Sequence, residues 1–356
     1  MGNLLAHIKN FFSPFPKVKS LEGLQELDKA DTLFHNLVAE KKVPGLAVTV
    51  LNKGKVVLQK GYGFAHVDKR IKVHPTNTVF RIASISKCIT GLALGKMVED
   101  GIVDLDESFY NYVPYYPKKK YDFTLRQLAS HTAGIRGYRG KEFALNQDYS
   151  IKKGIEVFKN DPLFFEPGMS YLYNSFDFVL LSLAMQEAGG VPFKDYVKEH
   201  ILIPLGLKNT FSPAETIVEH IAQFYTKRAL CFKKAVAVNN VYKIAGGGYL
   251  STCEDVAQLG QCILERKLLK QETYNELLTY QIVEGKPTYY GLGFQVSQDD
   301  NGRAFVGHVG SSVGAYTNLF VYPEQEKVIV VLINCTDPKV QPILDEAMDA
   351  LFEAMV

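Results

Sequence analysis

A serine and a lysine three residues apart open an apolar segment of the chain. Ser84 and Lys87 lie in the stretch FRIASISK, and Leu92, Leu94 and Met97 follow. On a helix, this spacing puts both side chains on one face, about one turn apart. The lysine amine could then accept the proton of the serine hydroxyl. The pair therefore predicts a serine nucleophile with a lysine base.

The same spacing occurs a second time, at Ser150 and Lys153. Ordinary residue frequencies give about one such match in a chain of this length. The second pair lies in a basic, polar stretch, whereas a lone lysine in the apolar stretch after Ser84 needs a chemical reason. We therefore prefer Ser84, although the spacing alone leaves its catalytic role open.

A candidate proton relay follows in the stretch FEPGMSYLYNS, which ends at Ser175. A turn that leads into a helix here could direct the phenol of Tyr173 at the serine and lysine. The phenol would then pass a proton between nucleophile and leaving group. The alternative is a core tyrosine, one of 20 tyrosines in the chain.

A glycine-rich stretch, GHVGSSVG, runs from Gly307 to Gly314 between two predicted strands. Glycines allow a backbone to pass close to a ligand, and an N–H group on such an edge can stabilise an oxyanion. The stretch also contains G-x-S-x-G, which would make Ser312 the nucleophile of an α/β-hydrolase. Those enzymes place the histidine after the serine, but His308 is the last histidine of this chain. We therefore do not favour Ser312.

Strand patterns occur at both ends of the chain, around a mostly helical middle. This order predicts an α/β (α+β) fold with an antiparallel five-stranded sheet that is flanked by helices and built from both chain ends. A mostly helical lobe would be inserted between them. We expect an N-terminal segment at residues 1–20, a sheet lobe at 21–83 plus 271–356, and a helical lobe at 84–270.

The composition excludes several classes of protein. With 40 Lys and Arg against 38 Asp and Glu, the net charge is +2, which argues against a nucleic-acid partner. The five cysteines show no C-x-x-C spacing, and the eight histidines show no metal-ligand spacing. No nucleotide-binding glycine loop occurs. We therefore expect no metal and no cofactor, and the scattered cysteines favour a reducing, cytoplasmic compartment.

No run of residues is long and apolar enough for a transmembrane span, and the N-terminus lacks the apolar core of a signal peptide. The start of the chain does carry apolar residues at helical spacing, between Leu4 and Phe12. We expect a short helix docked on the body, with a membrane-surface anchor as the alternative. Export after removal of a signal stays open, as does the oligomeric state.

Taken in order, these motifs resemble the serine β-lactamase and penicillin-binding-protein-like family, in its class C, esterase and peptidase branch. The resemblance covers roughly residues 35–335. It includes the flanking stretches TLRQLASHTAGI at 124–135, PLGL at 204–207, AGGGYLST at 245–252 and YGLGF at 290–294. A further stretch, FKNDPLFFEPG, looks most like an animal mitochondrial member of the family. The resemblance implies a β-lactamase/transpeptidase-like fold.

The resemblance also implies roles for individual residues. Ser84 would be the acylated nucleophile, Lys87 its base and Tyr173 a proton-transfer group. The N–H groups of Ser84 and Ser311 would form the oxyanion hole, and the third motif would lie at His308 and Gly310. The substrate would be a small ester, amide or peptide.

Two positions depart from the family pattern. The Y-x-N motif ends in Ser175, so a hydroxyl replaces the amide that contacts the acyl side chain in β-lactamases. The K-T-G motif begins with His308, whose charge we expect to depend on pH near neutrality. We therefore expect a peptidase or carboxylesterase with weak or no β-lactamase activity. The alternatives are a β-lactamase, a D-alanyl-D-alanine carboxypeptidase, or a non-catalytic penicillin-binding-like sensor or scaffold.

Overall fold

The computed structural model of the protein describes residues 15–215, 220–229 and 231–355. The helix predicted between Leu4 and Phe12 lies outside these ranges. Within them, no helix is both long enough and apolar enough to cross a bilayer.

An antiparallel sheet of seven strands forms the centre of the fold. In spatial order, the strands are β10 (Gln295–Gln298), β11 (Ala304–Ser312), β12 (Ala315–Tyr322), β13 (Lys327–Ile333), β1 (Gly45–Asn52), β2 (Lys55–His66) and β3 (Ile71–Lys72). Early strands therefore pair with late ones, which confirms the predicted sheet built from both chain ends. The predicted count of five strands is wrong. The edge strand β3 has only two residues, too few for an alternating pattern to identify it.

The central strands β1 and β13 are covered by helices on both faces. They pair side by side, with Val48 opposite Val331, and every residue of β13 is buried. Helices α1 (Glu26–Ala39) and α10 (Gln341–Glu353) pack on one face, and α8 (Cys253–Leu264) packs on the other. A strand covered on both faces is expected to be continuously apolar, as β13 is at residues 328–333.

The other helices lie between the early and late strands in sequence. They are α2 (Ser86–Glu99), α3 (Phe109–Tyr112), α4 (Leu125–Ala129), α5 (Ile151–Gly154), α6 (Phe176–Gly189), α7 (Phe193–Val197) and α9 (Gln271–Leu277). Single 3₁₀ or π turns occur at Ala83–Ile85, Glu142–Ala144, Ile155–Val157, Lys198–Leu202 and Ile244–Gly248. Most residues of α2 and α6 are buried, as expected for helices that are apolar on all sides.

Three small sheets connect these elements. In them, β4 (Phe80–Arg81) pairs with β7 (Leu250–Ser251), β5 (Tyr225–Lys227) pairs with β6 (Phe232–Lys234) and β14 (Cys335–Thr336), and β8 (Ile282–Val283) pairs with β9 (Lys286–Pro287). The pairing of β4 with β7 joins the segment before Ser84 to the segment after Gly248. The division into a sheet lobe and a helical lobe stays a prediction.

Candidate active site

Ser84 lies in a single 3₁₀ turn, Ala83–Ile85, between β4 and α2. Ala83 has a φ of 47°, in the left-handed region that residues other than glycine rarely adopt. Oγ1 of Thr317 donates a 3.0 Å hydrogen bond to the carbonyl oxygen of Ile82 and so holds the start of the turn. Ser84 thus lies just before a helix, whose positive dipole end favours negative charge on a nucleophile. Backbone strain beside a candidate nucleophile is typical of functional sites.

Lys87 lies about one turn after Ser84 and is completely buried. Its Nζ donates a 2.6 Å hydrogen bond to the carbonyl oxygen of Gly246 and lies 3.4 Å from Oγ of Ser84. Burial lowers the pKa of Lys87 to about 7, against smaller opposing effects of Cys88 and Asp177. Near neutral pH, a large fraction of the amine is therefore unprotonated and able to accept a proton.

Tyr173 also contacts Ser84. Its hydroxyl donates a 2.7 Å hydrogen bond to Oγ of Ser84, and the centre of its ring lies 4.8 Å from Nζ of Lys87. Desolvation raises the pKa of Tyr173 above its usual value, so the phenol stays protonated near neutral pH. The three residues that the sequence singled out thus lie within contact of one another.

Tyr173 packs against a buried polar group that the sequence analysis did not assign. Nδ1 of His131 lies 2.8 Å from Oδ2 of Asp177, which also accepts a 2.6 Å hydrogen bond from Nδ2 of Asn174. The ring centres of His131 and Tyr173 are 4.6 Å apart. Burial lowers the pKa of His131 and raises that of Asp177. These contacts hold the ring of Tyr173 and the side chain of the next residue, Asn174, in place.

Two sequence signals could have identified this group. His131 lies in the flanking stretch TLRQLASHTAGI, and Asp177 is an acidic residue in the otherwise apolar first turns of α6. A buried carboxyl group is rare unless a partner satisfies it. The partner could not be inferred because it lies 46 residues away in sequence.

His308 is buried in β11 and does not line the cavity beside Ser84. Its Nδ1 donates a 2.7 Å hydrogen bond to the carbonyl oxygen of Val309, so Nε2 is the nitrogen that accepts from the hydroxyl of Tyr290, 3.0 Å away. Burial lowers the pKa of His308 to about 3. The expectation that its charge changes near neutral pH is therefore wrong. The sequence pattern did not show that the ring is buried.

Gly310 of β11 lies directly against the turn that carries Ser84. A Cβ atom at Gly310 would lie 2.9 Å from the backbone nitrogen of Ser84 and 2.3 Å from Oγ1 of Thr317, so only glycine fits without a shift. The next residue, Ser311, lines the same cavity as Ser84. Two backbone N–H groups on one cavity can together stabilise an oxyanion. Their assignment to Ser84 and Ser311 stays a prediction.

A cavity of about 360 Å³ opens beside Ser84. Its polar wall includes Ser175, Asn240, Lys243, Ser311 and Ser312. Ser175 lies in the same wall as Tyr138, in the cavity that Ser84 also lines. Ser175 is thus in a position to contact a bound molecule.

The competing serine candidates lie in other surroundings. Ser312 is the last residue of β11, in the hairpin with β12, and not in a strand-turn-helix. Oγ of Ser150 accepts a 3.1 Å hydrogen bond from the backbone N–H of Lys153 and caps α5, while the lysine side chain is exposed. In the described ranges, no three His, Cys, Asp or Glu residues are grouped to hold a metal ion.

Comparisons with known proteins agree with these features. The family model described as Beta-lactamase matches residues 30–352. The mitochondrial serine beta-lactamase-like protein LACTB of Homo sapiens is 29% identical over 407 residues, which cover 84% of this chain and 72% of that protein.

Solved structures share the fold. The octameric penicillin-binding protein homologue from Pyrococcus abyssi has a TM-score of 0.81 and 25% identity, and the match covers 92% of this chain and 77% of that one. The D-amino acid amidase from Ochrobactrum anthropi SV3, complexed with D-phenylalanine, has a TM-score of 0.81 and 20% identity. This match covers 93% of this chain and 100% of that one. The family match, which spans most of the chain, shows that this protein belongs to the β-lactamase family of serine hydrolases.

Proposed function

We propose that this protein hydrolyses esters or amides, peptides included, through an acyl-enzyme formed on Ser84. One observation carries the proposal. Oγ of Ser84 accepts a 2.7 Å hydrogen bond from Tyr173 and lies 3.4 Å from Nζ of Lys87. A lysine base must be neutral, and the buried Lys87 has a pKa of about 7. The nucleophile, its base and a proton donor are thus in contact before substrate binds.

In the acylation step, Oγ of Ser84 attacks the carbonyl carbon of the substrate while its proton moves to Nζ of Lys87. The carbonyl oxygen becomes an oxyanion, to which the N–H groups of Ser84 and Ser311 donate. The bond to the leaving oxygen or nitrogen then breaks as Tyr173 protonates that atom. Lys87 returns the proton to the phenolate. The result is an ester on Ser84 and a neutral alcohol or amine.

The second half of the reaction uses the same groups. A water molecule attacks the ester carbonyl and gives a proton to the neutral Lys87. The bond to Oγ breaks as Ser84 takes up a proton relayed through Tyr173. The carboxylic acid is released and all three residues regain their starting protonation states.

The site favours ordinary esters and amides over β-lactams. His308 stands where the family has the lysine of K-T-G, and its pKa of about 3 keeps it neutral. It therefore offers no fixed positive charge to the carboxylate of a β-lactam. Ser175, in turn, offers a hydroxyl where β-lactamases have an amide. We therefore propose a peptidase or carboxylesterase with weak or no β-lactamase activity.

The competing functions differ from this one in what is turned over. A β-lactamase or a D-alanyl-D-alanine carboxypeptidase would act on nitrocefin or on D-alanyl peptides in preference to esters. A non-catalytic sensor or scaffold would bind penicillin with no turnover. The positions of Ser84, Lys87 and Tyr173 argue against the last of these, because a binding module does not need a neutral base beside its serine.

A substrate panel separates these functions. It comprises para-nitrophenyl esters, L- and D-amino-acid peptides and nitrocefin, assayed with the wild type, Ser84→Ala and Ser150→Ala. We expect turnover of esters or peptides, little turnover of nitrocefin and loss of activity in Ser84→Ala. Ser150→Ala removes the serine of the second S-x-x-K pair, together with the cap of α5, and should retain activity. Nitrocefin as the best substrate would instead support a β-lactamase. Penicillin binding without turnover of any panel member would support a sensor.

A further inference from the structure

Lys243 is a second buried lysine beside the cavity, and the proposed reaction does not use it. It lines the cavity with only 5% of its surface exposed. Its Nζ donates a 2.9 Å hydrogen bond to the carbonyl oxygen of Phe143 and lies 5.3 Å from the ring centre of Tyr138. An ammonium group has three N–H donors, so these contacts hold it in place but leave it able to donate further.

In the described part of the chain, no carboxylate forms an ion pair with Lys243. Oε2 of Glu142 pairs with Nη1 of Arg136 at 2.6 Å. Asp337, which lines the same cavity, pairs with Lys339 at 2.6 Å. A buried cation without a counter-ion carries a large desolvation cost, which a bound anion would offset.

The nearby charge that acts on Lys243 has the same sign. The guanidinium group of Arg81 donates a 2.6 Å hydrogen bond to the carbonyl oxygen of Val313, another residue of the cavity wall. Burial lowers the pKa of Lys243 to about 8, and Arg81 contributes to the lowering. Near pH 7, the amine therefore still carries its charge. The charge of Lys243 in the wall and that of Arg81 behind Val313 add to a positive potential, which attracts an anion.

The cavity also indicates which part of the substrate meets Lys243. Ser84 lines it, whereas Tyr173 and His308 are not among the described residues of its wall. The leaving group must reach Tyr173 to be protonated, so the cavity receives the acyl part. We infer that Lys243 binds an anionic group on the acyl part of the substrate, so that the enzyme prefers acyl groups ending in a carboxylate. This inference rests on the proposed function and names its substrate class.

A matched pair of esters tests the inference. One is the mono-para-nitrophenyl ester of adipic acid, with a free carboxylate at the far end of the acyl chain. The other is its neutral carboxamide isostere, which has the same length and leaving group. We expect the wild type to favour the carboxylate ester in kcat/KM. Lys243→Met should lower the ratio of kcat/KM for the carboxylate ester to kcat/KM for the carboxamide ester. We expect a decrease of about 10-fold to 100-fold, the range for a lost charge-assisted hydrogen bond.

The ratio corrects for a general loss of active protein, because misfolding lowers both values equally. Lys243→Arg should keep the preference, and Lys153→Met, which removes an exposed lysine, should leave the ratio unchanged. A wild-type ratio near one, or the same ratio in the wild type and Lys243→Met, would overturn the inference.

A binding measurement separates this inference from the proposed function. If no member of the substrate panel and neither adipate ester is hydrolysed, the proposed function fails, and the Ser84→Ala protein is titrated by calorimetry with monomethyl adipate and with its carboxamide isostere. Tighter binding of the carboxylate, lost when Lys243→Met is added, would retain an anion site at Lys243. Equal affinities for the two compounds would overturn it.

Discussion

The carbonyl oxygen of Gly246 lies 2.6 Å from Nζ of Lys87, closer than Oγ of Ser84 at 3.4 Å. Gly246 thus holds the amine beside the nucleophile while the surrounding side chains exclude water. Burial is the largest influence on the pKa of Lys87. The amine is therefore kept neutral by packing, and not by repulsion from a positively charged neighbour. This has consequences for pH dependence and for each residue in contact with Ser84.

The pH dependence of the reaction should follow the titration of Lys87. The neutral amine is the active form, so kcat/KM should rise with pH through about 7 and then level off. His308, with a pKa of about 3, does not titrate in this range, and the raised pKa of Tyr173 keeps the phenol protonated. The measurement is a pH–rate profile with a neutral para-nitrophenyl ester. Such a substrate has no anionic group to bind Lys243, so the titration of Lys243 does not affect the profile. A flat or falling profile between about pH 5.5 and about 8.5 would contradict the assignment of the base.

Removal of the base should nearly abolish turnover. Lys87→Ala should lower kcat/KM by at least about 10²-fold to 10⁴-fold, the usual contribution of acid–base catalysis. Lys153→Ala is the matched control, since it removes the lysine of the second S-x-x-K pair, and should retain activity. Thermal melting of both variants checks that they are folded. Near-normal turnover by a folded Lys87→Ala protein would remove this residue from the mechanism.

Loss of the Tyr173 hydroxyl should affect amides more than activated esters. An amine leaving group must be protonated as its bond to carbon breaks, whereas para-nitrophenolate leaves without a proton. We therefore expect Tyr173→Phe to lower kcat/KM for a peptide or anilide by about 10²-fold or more, and for a para-nitrophenyl ester much less. Steady-state kinetics on one acyl group with both leaving groups makes the comparison. Equal losses would indicate that the hydroxyl positions Ser84 and does not donate the proton.

A methyl group at Gly310 should disturb the site through the backbone of Ser84. The added Cβ would lie 2.9 Å from that residue's nitrogen and 2.3 Å from Oγ1 of Thr317. We expect Gly310→Ala to lower the free energy of unfolding by about 1–3 kcal/mol, the usual cost of overpacking. It should also lower kcat/KM by about 10-fold or more, because the nucleophile is displaced.

Gly137→Ala is the matched control for this variant. A Cβ atom there would lie 3.8 Å from Cβ of Asn174, an ordinary contact. Denaturant unfolding and kinetics should therefore show losses of stability and activity in Gly310→Ala and values close to the wild type in Gly137→Ala. Wild-type activity and stability in Gly310→Ala would show that β11 does not constrain Ser84.

Much of the fold followed from hydrophobic patterns in the sequence. The strand patterns at the two ends of the chain predicted one sheet built from both ends, and the pairing of β1 with β13 confirmed it. The edge strand β3 could not be predicted, because its two residues are exposed and show no period. Strands this short are defined by their partner and not by their own sequence.

The candidate site was predicted unevenly. Ser84 and Lys87 are three residues apart, so local helix geometry alone brings them together. The pairing of His131 with Asp177 depends on tertiary packing across 46 residues, which a single sequence does not report. The neutrality of His308 depends on its burial, whereas residue type alone predicted a charge that changes near neutral pH. Charge states at this site are therefore set by the fold.

The most direct test of the central claim is the identity of the acylated residue. The protein is treated with a fluorophosphonate probe and digested, and the modified peptide is sequenced by tandem mass spectrometry. Our account predicts one adduct, on Ser84, and no labelling of the Ser84→Ala protein. An adduct on Ser312, or full labelling of Ser84→Ala, would contradict it.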